Sequence, residues 1–134
     1  MENYLKNFRA KWNNRTLEDA GIIVSKEYRS FQNSFINVMK KVANHLGGEL
    51  VANTKGHYFT TGCIRRGDHY VYFNYQTSFN RTHIDMDAND YMNRLLVRTA
   101  ENEKDYRGGC NYYTSIMDCE RVIDRLLNTP HIKW

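Results

Sequence analysis

The sequence has one proline and no low-complexity tract, so nothing in it resembles a linker, and we expect a single domain over residues 1–134. Its three cysteines, Cys63, Cys110 and Cys119, lack the spacing of a disulfide framework, which favours reduced thiols in a cytoplasm. No apolar run approaches the ~20 residues that span a bilayer, and the first residues contain no apolar signal region. We therefore expect a cytoplasmic protein without membrane contact.

Positive charge is unevenly spread along the chain, although the net charge is only +4. Residues 1–67 contain 11 Lys and Arg and 5 Asp and Glu, a net charge of +6. Residues 68–134 contain 8 Lys and Arg and 10 Asp and Glu, a net charge of −2. A basic half can attract nucleic acid or an acidic protein surface, but it fits a solvated helix face equally well. The ten tyrosines suit half-exposed sheets and binding faces, because tyrosine can bury its ring and keep its hydroxyl in water.

Helices are predicted at both ends of the chain. Residues 2–12 and 25–46 have apolar side chains at three- and four-residue steps. Gly47 and Gly48 end the second helix, since glycine adopts the left-handed C-cap conformation at low cost. Residues 115–118 match a capping box that precedes a last helix with an apolar stripe. These patterns place helices before and after the central part of the chain.

The central part alternates with a period of two, which is typical of strands. We predict strands at residues 49–53, 57–65, 69–76 and 94–100, a short helical turn from Thr16, a polar segment at 78–93 and a loop at 104–114. In the third strand His69, Val71, Phe73 and Tyr75 should face the core, and Tyr70, Tyr72, Asn74 and Gln76 should face outward. The expected fold is α+β: a four-stranded antiparallel meander with N-terminal helices and a C-terminal helix packed on one face.

Known site motifs are incomplete in this sequence. Residues 66–73 partly match the octamer of RNA-recognition motifs, but Asp68 and His69 stand where other residue types belong. Residues 85–90 place oxygen ligands as a calcium loop does, without the glycine and glutamate that such a loop requires. The histidines and cysteines lack the paired spacing of a zinc site. We therefore expect neither a metal nor a cofactor.

One loop has the chemistry of an anion site. Arg107, Gly108 and Gly109 precede the last helix, and free backbone amides beside a cation and a helix N-terminus can bind an anion. The same glycines also fit a loop that simply approaches the sheet closely. If the loop binds a phosphorylated substrate, an enzyme becomes a third hypothesis for the function.

Several segments between residues 57 and 127 resemble a loosely defined group of small, uncharacterised proteins from phages and mobile elements of gut bacteria. The segments are HYFTTGCI, HYVYFNY, LLVRTA, EKDY, GG and NYYT. The resemblance implies a setting inside a bacterial host cell, where small accessory proteins block host defence nucleases, as anti-CRISPR proteins do. Many such inhibitors are acidic DNA mimics, and a basic chain does not fit that mode of action.

The leading hypothesis is a non-enzymatic binding protein, since no catalytic spacing is found. Its partner would be a host defence protein, such as a nuclease, or a nucleoprotein. The alternative is a single-stranded nucleic-acid-binding module that uses the basic N-terminal half and the tyrosine-bearing sheet face. The same face could also join two copies in a homodimer. The residues predicted to contact the partner are Arg65, Arg66, Tyr70, Tyr72, Arg107 and Tyr112.

Overall fold

The computed structural model describes residues 3–12, 26–56, 59–76, 95–105 and 110–131. In chain order the described elements are helices α1 (Asn3–Lys11) and α2 (Lys26–His45), strands β1 (Glu49–Lys55), β2 (Phe59–Arg66), β3 (His69–Gln76), β4 (Leu95–Ala100) and β5 (Tyr112–Thr114), and helix α3 (Cys119–Leu127). The strands form one antiparallel sheet in the order β1-β2-β3-β4-β5. The α+β class is confirmed. None of these helices is both long and apolar enough to cross a bilayer.

The described sheet has five strands, so the prediction of four is wrong. Part of the predicted loop at 104–114 is the short strand β5, which pairs antiparallel with β4 through Leu95 and Thr114 and through Val97 and Tyr112. Three residues are too few for an alternation of buried and exposed side chains to be recognised in the sequence. β5 adds an edge to the meander without changing its order.

The other boundaries agree closely with the prediction. The third strand matches exactly, and β1 continues two residues beyond its predicted end. The turn predicted from Thr16, the polar segment at 78–93 and the predicted first residues of the second and fourth strands lie outside the described residues. β1 also contains a bulge, because the pairing with β2 shifts between Leu50 and Ala52.

Two glycines with positive φ end α2 and form the hairpin turn between β2 and β3. Gly47 has φ +77°, its N–H donates to the carbonyl of Asn44 at 3.1 Å, and the N–H of Gly48 donates to that of Ala43 at 2.9 Å. This is a Schellman C-cap, in which glycine adopts the left-handed region without a Cβ clash. Gly67 has φ +63° and is the first of two residues between β2 and β3. A glycine with positive φ there suits a tight hairpin.

The core lies between the helices and one face of the sheet. The rings of Phe31 and Phe35 on α2 meet those of Phe73 and Tyr75 on β3 at centroid distances of 5.2–5.6 Å, and all four residues are fully buried. The buried cluster also includes Leu5 of α1 together with Ile116, Cys119, Val122, Ile123, Leu126 and Leu127 at and within α3. The helices therefore share one face of the sheet, as predicted.

Polar side chains connect the three helices. The hydroxyl of Tyr4 donates to the carboxylate of Glu120, and Nδ1 of His45 lies 2.9 Å from the same carboxylate. At the start of α3, the N–H of Asp118 donates to Oγ of Ser115 at 3.1 Å. The helix nevertheless begins at Cys119 with Asp118 at its N-cap, so the predicted cap at Ser115 is three residues too early. Ser115 instead stabilises the turn that leads into the helix.

Candidate functional site

The two faces of β3 differ in burial, which identifies the exposed side of the sheet. Val71, Phe73 and Tyr75 are completely buried against the helices, whereas Tyr70 and Tyr72 are only half-buried. The predicted register is therefore confirmed. His69 is an exception, because it was expected in the core and is exposed. It is the first residue after the hairpin turn.

We call the sheet surface opposite the helices the outer face. The strand register places on it Phe59, Thr61, Cys63 and Arg65 of β2, Tyr70, Tyr72 and Asn74 of β3, Leu96, Arg98 and Ala100 of β4, and Tyr113 of β5. Phe59 is 36% exposed and Tyr113 is 66% exposed. Thr61, Cys63, Arg98 and Ala100 on the same face are buried, so its exposed side chains are chiefly aromatic, with Tyr70 and Tyr72 half-buried beside them.

Arg98 lies near the middle of the outer face, opposite Tyr72 on the neighbouring strand. Its guanidinium carbon is 4.2 Å from the centroid of the Tyr72 ring, within range of a cation–π contact. The residue is only 8% exposed. Among the described residues, neither Nε nor Nη2 of Arg98 has a hydrogen-bond partner, and no carboxylate forms an ion pair with it. The buried guanidinium of Arg98 thus contacts the Tyr72 ring and has no counter-ion among the described residues.

Asn74 lies two residues from Tyr72 on the same face. Its Nδ2 donates to the hydroxyl of Tyr72 at 3.3 Å, while its Oδ1 is buried without a hydrogen-bond partner among the described residues. Buried polar atoms in folded proteins are nearly always paired. Arg98 and Asn74 thus each contain buried polar atoms that are unpaired among the described residues.

Arg65 is the second cation that the strands place on the outer face. Its guanidinium pairs with the carboxylate of Glu49 and hydrogen-bonds to Tyr70, and its side chain is 43% exposed. The hydrogen bond to Tyr70 and then the charge of Glu49 raise the pKa of Arg65 above its usual value. Arg65 is already neutralised within the chain, unlike Arg98.

The predicted contact residues do not form one surface. Arg65, Tyr70 and Tyr72 share the outer face, but Arg66 points toward the helices. There its Nη1 lies 2.9 Å from the carboxylate of Asp124 and 3.0 Å from the carbonyl of Leu46. Adjacent strand residues face opposite sides of a sheet, which explains why Arg65 and Arg66 separate.

Tyr112 and the predicted anion loop are also apart from the outer face. Tyr112 pairs with the core-facing Val97, and its ring lies 5.8 Å from the Arg125 guanidinium, at the helix side of the sheet. Arg107, Gly108 and Gly109 lie outside the described residues. The anion site predicted for them stays a prediction.

The structure separates the basic half of the sequence from the tyrosines. Arg29, Lys40 and Lys41 are exposed on α2, in the layer on the other side of the sheet. Lys55 also faces the helix layer, where its Nζ donates to Oδ1 of Asn33 at 2.6 Å. Among the described Lys and Arg of residues 1–67, the register places Arg65 alone on the outer face. The expected continuous surface of basic residues and tyrosines is therefore not formed by these residues.

A cavity of about 420 Å³ lies beyond the β2–β3 turn beside the end of β4 and is lined by residues that include His69, Thr99 and His131. Oγ1 of Thr99 lies 3.0 Å from Nδ1 of His131, and Nε2 of that imidazole lies 3.6 Å from the Asp105 carboxylate. A hydroxyl, an imidazole and a carboxylate in line resemble a nucleophile and its base. Thr99 is only 7% exposed, however, so its hydroxyl is closed to a substrate. These contacts hold His131 against the end of β4.

Cys110 is expected to be the one cysteine that reacts rapidly with a thiol reagent. Burial, followed by the charge of neighbouring carboxylates, raises the pKa of Cys63 and of Cys119 to about 12, from 9.0. This shift lowers the thiolate fraction at neutral pH roughly a thousandfold, and only the thiolate attacks the reagent. Cys110 is exposed. Titration of the native chain with Ellman's reagent should show one fast equivalent, which Cys110→Ser removes.

Denatured chain should release three equivalents in the same assay. The raised pKa values also predict a loss of stability between pH 9 and about 12, because the unfolded thiols ionise at lower pH than the buried ones. Two fast thiols in the native chain would contradict the burial of Cys63 on the outer face.

No metal centre is apparent in the part of the chain that the structure describes, since no three His, Cys, Asp or Glu side chains there are grouped closely enough to bind an ion. The expectation that the protein needs no metal stays a prediction. The outer face is the candidate site. Comparison of the chain with protein-family models, curated proteins and solved structures finds no match.

Proposed function

We propose that this chain is a non-catalytic binding protein and that the outer face is its contact surface. The observation that carries the proposal is the group of partly or largely exposed aromatic side chains, Phe59, Tyr70, Tyr72 and Tyr113, on a face opposite the helices. Aromatic residues and arginine are enriched in protein interfaces, where a few of them contribute most of the binding energy.

The distribution of charge favours a protein partner over nucleic acid. A surface that follows a phosphate backbone needs several cations along its length. On the strands the outer face carries Arg65, which is paired with Glu49, and Arg98. In the setting that the sequence resemblance implies, the partner is a host defence nuclease or a nucleoprotein of a bacterial cell. The basic chain would inhibit such a partner by occupying a surface on it.

Single-stranded nucleic acid is the second candidate ligand. The observation that favours it is the array of tyrosine rings on an antiparallel sheet, since bases stack on such rings regardless of sequence. Binding of a labelled oligonucleotide to the purified chain should then weaken steeply as salt concentration rises. Binding that is absent at low salt would exclude this candidate.

Replacing Tyr70 and Tyr72 together with alanine should weaken partner binding by at least about 2 kcal/mol, or about 30-fold in Kd. The two rings are half-buried on the outer face, and their loss removes contact area without opening the helix-side core. The purified chain, used as bait in a bacterial lysate with and without nuclease treatment, identifies the partner. Calorimetry with the purified partner then gives the Kd of each variant.

The matched control is Arg29→Ala with Lys40→Ala, two exposed residues on the helix layer. This control should bind as the unaltered chain does. If it loses binding while the tyrosine variant keeps it, the contact surface is the basic side of α2 and the proposal is wrong. Sedimentation of both variants tests the homodimer, because a dimer joined through the outer face should become monomeric only in the tyrosine variant.

A further inference from the structure

The first two helices form a surface of one charge on the side of the sheet opposite the outer face. Residues 4–12 and residues 29–45, which include most of α1 and α2, each contain three Lys and Arg and no Asp or Glu. All six cations are exposed to solvent: Lys6, Arg9, Lys11, Arg29, Lys40 and Lys41. These helices therefore present positive charge to solvent without acidic residues of their own.

A cleft of about 260 Å³ lies between α1 and α2 on this surface. The two helices run antiparallel, because Trp12 packs on Phe31 whereas Tyr4 lies beside Lys41. The step from Tyr4 to Lys11 is about 10 Å along α1. The ammonium groups of Lys11 and Lys41 therefore lie toward opposite ends of the cleft.

The lining between the two lysines is neutral and polar. Asn7 and Asn37 are exposed, and Ser34 is half-buried. Among the described residues that line the cleft, none is acidic. Lysine together with asparagine and serine is the set of side chains that contacts the phosphates and sugars of nucleic acid.

An aromatic ring lies beside each of the two lysines. Nζ of Lys11 is 5.3 Å from the centroid of the Trp12 ring, and Nζ of Lys41 is 6.0 Å from that of Tyr4, both within range of a cation–π contact. Neither lysine belongs to an ion pair with a described carboxylate. Both side chains are exposed, so an anion in the cleft can reach their ammonium groups.

We propose that the α1–α2 cleft binds the phosphate backbone of a nucleic-acid duplex. This surface is separate from the outer face, so the inference goes beyond the proposed function. A duplex carries one negative charge for about every 1.7 Å of its axis, which matches a surface with six cations and no described acidic side chain.

The side chains of this surface favour a duplex over an acidic protein or a single strand. Lysine is depleted in protein interfaces, whereas it binds phosphate well as a compact charge. A single strand needs exposed rings on which its bases can stack. Phe8 and Trp12 in the lining are each only 4% exposed, so they offer no such platform. Contact with the backbone alone should be independent of base sequence.

The test measures binding of a fluorescently labelled DNA duplex to the full chain by anisotropy, between about 50 and 200 mM salt. Lys11→Gln with Lys41→Gln should reduce the slope of log K against log salt concentration by about 1.8, or 0.9 for each lost phosphate contact. Duplexes of unrelated sequence should lose affinity equally. A duplex that does not bind at the lowest salt concentration, or a slope that the variant leaves unchanged, would overturn the proposal.

The matched control is Lys55→Gln with Lys104→Gln, which removes the same charge from two exposed lysines that do not line the cleft. This control should keep the slope of the unaltered chain. An equal fall in both double variants would show that net charge alone attracts the duplex, and the proposed cleft would be wrong. Glutamine has nearly the helix propensity of lysine, so circular dichroism should show both variants folded.

Competing ligands separate the possible occupants of the cleft. Sodium polyglutamate should displace the duplex less well than an unlabelled duplex does, and an unlabelled single strand should also compete less well. Equal or better competition by polyglutamate would make an acidic protein surface the occupant, and equal or better competition by the single strand would also contradict the proposal.

The two proposals can fail separately. The variant with Tyr70→Ala and Tyr72→Ala should bind the duplex as the unaltered chain does, because both rings lie on the outer face. Loss of duplex binding in that variant would place the nucleic-acid contact on the outer face and overturn the cleft. Duplex binding that depends on Lys11 and Lys41 stands even if that variant keeps its protein partner.

Discussion

Phe35→Ala is expected to lower the free energy of unfolding by about 3–5 kcal/mol, the range for truncating a large core side chain. Phe35 is fully buried, and its ring lies 5.2–6.3 Å from the rings of Phe8, Phe31, Phe73 and Tyr75. Alanine would leave a cavity between α1, α2 and β3, where rigid rings on all sides cannot collapse to fill it. Urea denaturation followed by circular dichroism measures the change.

Tyr113→Ala is the matched control for this truncation. Tyr113 also carries an aromatic ring, but it is 66% exposed, so its removal should change stability by no more than about 0.5 kcal/mol. A cost below about 1 kcal/mol for Phe35→Ala would mean that α2 does not pack on the sheet as described.

Gly62→Val is expected to cost about 3 kcal/mol, at the upper end of the usual range for overpacking. A Cβ at this position would lie 2.3 Å from Cζ of Phe73 and 2.8 Å from the carbonyl oxygen of Ala52. The Phe73 ring covers Gly62 from the neighbouring strand and is itself fully buried beneath Phe35. Neither the ring nor the backbone of β1 can move away without disturbing the core. Thermal melting and urea denaturation both measure the loss.

A double variant shows whether the ring is the cause. In Gly62→Val with Phe73→Leu, the shorter side chain makes room for valine, so the double variant should be more stable than the sum of the two single changes predicts. Simple additivity of the two costs would show that the clash with Phe73 is not what destabilises Gly62→Val.

The sequence allowed the main elements to be predicted because their patterns are local. The three-and-four spacing around Phe35 identifies α2, Gly47 marks its end, and the alternation from Val71 to Tyr75 sets which side of β3 is buried. Each of these signals depends on residues within a few positions of one another. The meander order follows because short turns join β1, β2 and β3.

The candidate site could be predicted only in part. Tyr70 and Tyr72 were recognised from the alternation in β3, but Arg98 was not, because its meaning depends on Tyr72 across a strand pair whose register the sequence does not state. The prediction that Arg65 and Arg66 share one contact surface was wrong. The same alternation already implies their separation, because adjacent residues in a strand point to opposite faces of the sheet. Whether the side-chain nitrogens of Arg98 find acceptors depends on the assembled sheet, so it cannot be predicted from the spacing of residues in the sequence.

The ends of the described sheet also affect how a partner can be recognised. β5 has three residues, and β1 contains the bulge between Leu50 and Ala52. Short strands and bulges make poor templates for another chain, because they interrupt the row of main-chain donors and acceptors that strand addition requires. Augmentation of this sheet by a partner's strand is therefore disfavoured. Recognition is left to side chains, so the identity of single residues should matter more than the backbone geometry of the partner.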